Sequence, residues 1–245
     1  MAANPVSGIV PTAILAAGIA LAGWWIGDGF IESRRGDRVV AVKGLAERNV
    51  VADTAIWSLR FVTSGDDLDT VRAGINRNEH SVRQFLARHG LNDGTIRART
   101  LDVRDLRADP YRSGPIESRF IVAMTLTVRS PDVSLVEDAA AAMPELLAED
   151  VVIASDMGPQ GSQPIYLFTR LNDLKPELIA EATANARAAA LQFAGDSGST
   201  VGPIIHANQG IIQILPRDSA PGLSADNQID KILRVVSTVN YRLVD

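Results

Sequence analysis

An α+β fold, with antiparallel strands in ββα repeats around three helices, is predicted by three observations in this 245-residue chain. Segments with strict alternation of apolar and polar residues fall in pairs. Each of the first three pairs is followed by a segment with apolar residues at helical spacing. A last pair closes the chain, so the order is ββα, ββα, ββα, ββ. Paired strands between single helices give antiparallel sheet with helices on one face rather than a parallel βαβ sheet.

The chain opens on 27 residues without a charged side chain, almost wholly apolar from Val10 to Ile26 and ending in Trp24-Trp25. A helix over residues 9–27 would rise about 28 Å, close to the thickness of a bilayer's hydrocarbon core. A tryptophan pair suits the headgroup interface. Ala20-Leu21-Ala22 resembles a signal cleavage site, but no basic residue precedes the apolar run, which continues past Ala22. The expectation is therefore an uncleaved signal anchor and short linker over residues 1–36, a single-pass membrane protein, and one domain over 37–245. Arg34, Arg35 and Arg38 follow the segment, so the positive-inside rule alone would leave the domain in the cytoplasm. Gly23 and Gly27 form a small-xxx-small pair, a spacing that is also ordinary membrane-helix filler.

The first strand pair is Val39–Ala46 and the segment through Ala55, Trp57, Leu59 and Phe61, whose apolar row alternates with Ser58 and Arg60. The first soluble helix starts after Asp66-Asp67, which can cap it. Its stripe is Leu68, Val71, Ile75, Val82, Phe85 and Leu86, and Gly90 ends it. Strands follow at Thr95–Leu106 and at Phe120–Val128, the latter with Phe120, Val122, Met124, Leu126 and Val128 on one face. The second helix is expected from Ser130-Pro131, with stripe Val133, Val136, Ala140, Met143 and Leu147. Strands at Val151–Ser155 and Ile165–Arg170 lead to a third helix, about Asp173 to Ala194, with stripe Ile179, Ala182, Ala186, Ala189 and Phe193. Strands at Val201–Leu215 and through Leu233, Val235, Val239, Tyr241 and Leu243 close the fold.

Composition narrows the function. The net charge is −5, which argues against nucleic acid as a partner. The absence of cysteine removes disulfides, thiolate nucleophiles and Cys-type metal sites together. Three motifs invite chemistry and each has a structural reading beside it. Gly195-Asp196-Ser197-Gly198 spells the setting of a serine nucleophile, but a triad needs a histidine and a carboxylate converging on Ser197. A helix end followed by a turn explains the same residues. A phosphate loop would need lysine and a following helix where Gly202 is followed by Pro203. His80 and His89 stand nine residues apart, on opposite sides of a helix, and His206 is distant in sequence. No catalytic residue, metal ligand or cofactor is assigned. The densest basic run, Arg97, Arg99, Arg104, Arg107, Arg112 and Arg119, is threaded with Asp102, Asp105, Asp109 and Glu117. It reads as a solvated face of weak pairs or as a binding surface for an anionic lipid or glycan.

The run Val42-Lys43-Gly44-Leu45-Ala46-Glu47-Arg48, then Ala52-Asp53-Thr54-Ala55-Ile56-Trp57, resembles the opening of the SIMPL-domain family. Ala182, Asn185-Ala186-Arg187, Ala190 and Phe193-Ala194 match its helical segment. Ser197-Gly198-Ser199, Val201-Gly202 and Ala207-Asn208-Gln209-Gly210 are similar to its membrane-anchored bacterial branch. The resemblance extends over roughly Val39 to Val244. It implies a SIMPL-like fold, no established catalytic residues, a cell-envelope setting linked in some members to oxidative-stress defence, and a domain on the periplasmic side of the inner membrane. The first expectation for function is thus a non-enzymatic, membrane-anchored envelope protein that self-assembles, with a structural or protective role. The alternative is a module that binds a small ligand, lipid or partner protein on a sheet surface or in an oligomer cavity. A hydrolase using Ser197 ranks last. Self-assembly into a homo-oligomer is expected because Ile56, Ile121 and Val236 would lie on sheet faces away from the helices.

Overall fold

The computed structural model describes residues 15–27, 38–108, 114–115, 117–154 and 162–244. An antiparallel α+β architecture with several helices stands, and the transmembrane helix does not. Residues 15–27 are helical, α1, and rise about 20 Å. Residues 9–14 of the expected span lie outside the described residues. Among the described residues no helix is long and apolar enough to cross a membrane. The membrane anchor, the inner-membrane placement and the anchored branch of the resemblance are corrected accordingly.

The remaining elements are β1 (Val39–Val51), β2 (Thr54–Gly65), α2 (Leu68–Arg88), β3 (Ile96–Asp105), β4 (Phe120–Ser130), α3 (Val133–Ala141), α4 (Pro144–Ala148), β5 (Ile165–Leu167), α5 (Leu171–Asp196), β6 (Thr200–Gln209), β7 (Gln213–Pro216) and β8 (Asp230–Val244). One sheet has the order β3-β4-β2-β5; in the other the order is β1-β8-β6, with β7 also on β8. The described residues fall into two compact units. One draws on residues up to Ala46, Glu177–Ile211 and those from Val235 onward; the other on residues within Glu47–Pro176 and Ile212–Arg234.

The second of these holds the larger core. Alternation along β2 puts Ala55, Trp57, Leu59 and Phe61 on one face, all fully buried. The register Trp57↔Val128, Leu59↔Leu126, Phe61↔Met124 sets β4's apolar row beside them. Val71, Ile75, Val82, Phe85 and Leu86 of α2 cover this face. The helix starts where expected, with the Asp67 carboxylate accepting from the Thr70 amide at 2.8 Å. It ends at Gly90, whose φ of +80° is one that a side chain disfavours.

The second helix differs from its expectation. It is capped by Asp132 rather than Ser130, and it breaks before Pro144, which cannot continue the amide ladder. The turn at Ala142-Met143 resets the phase, so Leu146 is buried and Leu147 is 68% exposed. Of the expected strand Val151–Ser155, a single bridge from Ile153 to Phe61 is present among the described residues, and Ser155 lies outside them. The next strand shortens to Ile165–Leu167, because the Asp53 carboxylate takes the amides of Thr169 and Arg170.

In the other unit, Val40 and Val42 of β1 and Val239 and Tyr241 of β8 pack with Ala186 and Ala190 of α5. The buried line of α5 is Leu178, Ala182, Ala186, Ala190 and Ala194, rotated from the expected stripe; Phe193 is 65% exposed. The expected strand Val201–Leu215 is broken at Gly210, whose amide donates to the Val236 carbonyl at 2.8 Å.

Candidate functional site

β3 is an edge strand: it pairs with β4, and no described residue pairs with its other side. Its register sets Arg99 beside Leu126, Leu101 beside Met124 and Val103 beside Val122. Those β4 partners face the core, so Arg99, Leu101 and Val103 face the same way. They are nonetheless open to solvent, Leu101 at 49% and Val103 at 50%. Leu68, at the first position of α2, is 46% exposed as well. Between helix and strand lies a groove of about 320 Å³, floored by Val122 and Met124 and walled by Leu68 and Ile75 on one side and Leu101 and Val103 on the other. Arg72, Asn76 and Arg99 provide its polar groups. Mostly apolar walls with a few fixed polar groups are the usual make-up of a ligand site.

The polar rim is held in place. Arg99 donates from Nε and Nη2 to Glu79 at 2.9 and 2.8 Å, and Arg83 donates to the same carboxylate at 3.1 and 3.0 Å. Hydrogen bonds from Arg99, against the cost of burial and with help from Arg83, hold the Glu79 carboxyl below its ordinary value. Arg72 pairs with Asp69 at 2.9 Å. What the groove can do is bind: apolar surface for an aliphatic group, guanidinium N–H groups for an anion, and an open strand edge for a backbone.

The residues weighed for chemistry in the sequence are placed elsewhere. Ser197 sits in the turn after α5, its hydroxyl donating to the Ala194 carbonyl at 3.1 Å, with Gly198 at φ +69°. Gly202 and Pro203 lie within β6, where the register shifts. His80 is exposed on α2, and His206 is exposed on β6 opposite Asn240. The His89 ring packs at a tilt against Phe85, centroids 4.7 Å apart, and stands 3.5 Å from Glu145. Among the described residues no group of three or more His, Cys, Asp or Glu could hold a metal ion.

The basic run divides. Arg99 belongs to the groove. Arg104 stands 3.6 Å from Asp102, Arg119 pairs with Asp105 at 2.9 Å, and the Arg107 amide donates to Asp105. Arg112 and Asp109 lie outside the described residues. Ile56, Ile121 and Val236 are half-buried within the single chain, so the expectation of a homo-oligomer loses the exposed residues on which it rested. Sequence reasoning placed Leu68 in a buried stripe and passed over Leu101 and Val103. Their signal was there: an apolar row on the core face of a strand that carries a charge at every few residues.

The residues that carry the family resemblance hold the fold together. Gly44 and Leu45 lie against α5, with Asn185 Nδ2 donating to the Leu45 carbonyl at 2.8 Å. Asp53 accepts from the Thr169 amide and hydroxyl, each at 2.9 Å. A family model described as SIMPL, a protein of unknown function (DUF541), matches residues 40–236. No curated protein matches the chain.

Proposed function

From the chain's membership of the SIMPL family, described as of unknown function, and from the groove between α2 and β3, we propose that it works as a binding module, taking a ligand or partner on the sheet surface at that groove. The proposed role is binding rather than catalysis. The observation that carries the binding reading is the exposure of Leu68, Leu101 and Val103 around one concave surface. Each of these side chains is about half in water and so forgoes about half of the 1.5–3 kcal/mol that full burial brings, and three in one groove mark a surface that gains by being covered.

The test is titration of the full chain with an apolar reporter dye whose emission rises on leaving water. Saturable binding lost in Leu101→Asp is the expected result. A signal that is absent, or unchanged by that substitution, overturns the reading.

A further inference from the structure

β3 offers a backbone edge and side-chain pockets side by side. Over ten residues its far edge meets no described strand, so alternate residues hold N–H and C=O groups outward. Peptides that add to such an edge gain affinity from main-chain hydrogen bonds and specificity from pockets for every second side chain. A strand laid antiparallel to β3 would place alternate side chains over the groove. Those opposite Val103 and Leu101 would meet apolar surface about half exposed, together with Leu68. The next on that face would lie opposite Arg99, whose side chain is 46% exposed and fixed by Glu79.

We propose that β3 and its groove bind an extended segment of a partner polypeptide as an added antiparallel strand, reading apolar, any, apolar, any, acidic from its N-terminal end. This rests on the groove being the binding site. The arginines of β3 make the choice selective. An all-apolar strand would bury the Arg99 guanidinium without a new partner, whereas an acidic side chain there adds a charge-assisted bond. The occupant is a different chain rather than a second copy. A second β3 in the register that sets Asp105 opposite Arg99 would bring Asp102 opposite Asp102, like charges in direct opposition.

The probe is a labelled, end-capped peptide, Thr-Val-Thr-Leu-Thr-Glu-Thr, titrated by anisotropy against the full chain beside a version with Lys for Glu. The Glu peptide should bind at least tenfold tighter than the Lys peptide. Leu101→Asp should weaken it at least tenfold, and Arg99→Glu should reverse the preference, with circular dichroism and a cooperative thermal transition reporting that each variant is folded. Equal binding of the two peptides overturns the proposal. So does a dimer of the chain that Leu101→Asp dissociates, which would make a second copy the occupant. Failure of both peptides while decanoate displaces the reporter dye overturns strand addition but leaves the binding groove standing. Failure of the dye itself removes the groove.

Discussion

Gly44 lies directly against Ala186: a β-carbon on Gly44 would stand 2.9 Å from the Ala186 β-carbon and 1.8 Å from the Ala182 carbonyl oxygen. The strand motif and the helix motif that make the family recognisable are two sides of this contact. Asn185, one residue earlier, binds the Leu45 carbonyl and fixes the helix along the strand.

Gly44→Ala is accordingly expected to destabilise the protein by about 3 kcal/mol or more, at the upper end of overpacking costs, because the obstacle is backbone. Asn185→Ala should cost about 1 kcal/mol, an ordinary exposed hydrogen bond. Denaturant midpoints with unchanged slopes would measure both. A Gly44→Ala protein as stable as the wild type would mean that β1 and α5 separate freely.

Trp57 is fully buried, and its Nε1 donates to the Ser162 carbonyl at 2.8 Å. Trp57→Ala should cost about 3–5 kcal/mol. Trp57→Phe keeps most of the packing and loses the donor, so it should cost less, by thermal melting of the two side by side. Equal losses would assign the whole effect to the hydrogen bond.

Asp53 governs part of the acid stability. Burial acts to raise its pKa, but the Thr169 amide and hydroxyl, the Thr54 hydroxyl and the Arg170 amide together hold it below the ordinary value. A carboxyl with a lowered folded pKa stabilises fully above its unfolded value, about 3.9, and the contribution is lost as pH falls through the folded pKa. Asp53→Asn should therefore lose about 1–2 kcal/mol at neutral pH, towards the low end for bonds to a part-exposed charge. Below about pH 4 the gap from wild type should narrow, as measured by urea unfolding. A constant gap from pH 7 to pH 2 would exclude the carboxylate as its source.

Lys231 on β8 is 2% exposed, and its amine donates to the Ala225 carbonyl. Burial lowers its pKa, opposed by the Asp226 charge. The unfolded chain therefore binds the proton more readily, and stability from this group rises with pH until it passes the unfolded value near 10.4. Lys231→Met, similar in volume and uncharged, should leave the melting temperature at pH 7 unchanged or raised. It should also remove that rise on the alkaline side, as pH approaches about 10. A large loss of stability would show that the amine's bond to Ala225 outweighs its desolvation.

Local chemistry made part of this fold legible. The Trp57 row, the Asp67 cap and the Gly90 stop depend on neighbours in sequence, and each stands where the pattern puts it. The phase of α5 was not legible, because in a helix so rich in alanine the apolar contrast between faces is weak; the approach of Gly44 decides which alanines are buried. The membrane reading rested on an uncharged apolar run, its length and its tryptophan pair, whereas the helical residues described there, 15–27, are too few to cross a bilayer. The groove was hidden for a further reason. Leu68, Leu101 and Val103 look like core residues by periodicity, and only the order of strands, with β3 at an edge, leaves them open.

The alanine line on α5 also limits what length changes the helix can absorb. Leu178, Ala182, Ala186, Ala190 and Ala194 recur every fourth residue. Loss of a single residue between Ala182 and Ala186 would turn everything beyond it by about 100°. Arg187 and Leu191 would then fall where Ala186 and Ala190 now lie, setting a guanidinium against the backbone at Gly44. Insertions and deletions in this protein should therefore accumulate in its connecting segments and be absent from the middle of α5, where a change of one residue acts as several simultaneous substitutions.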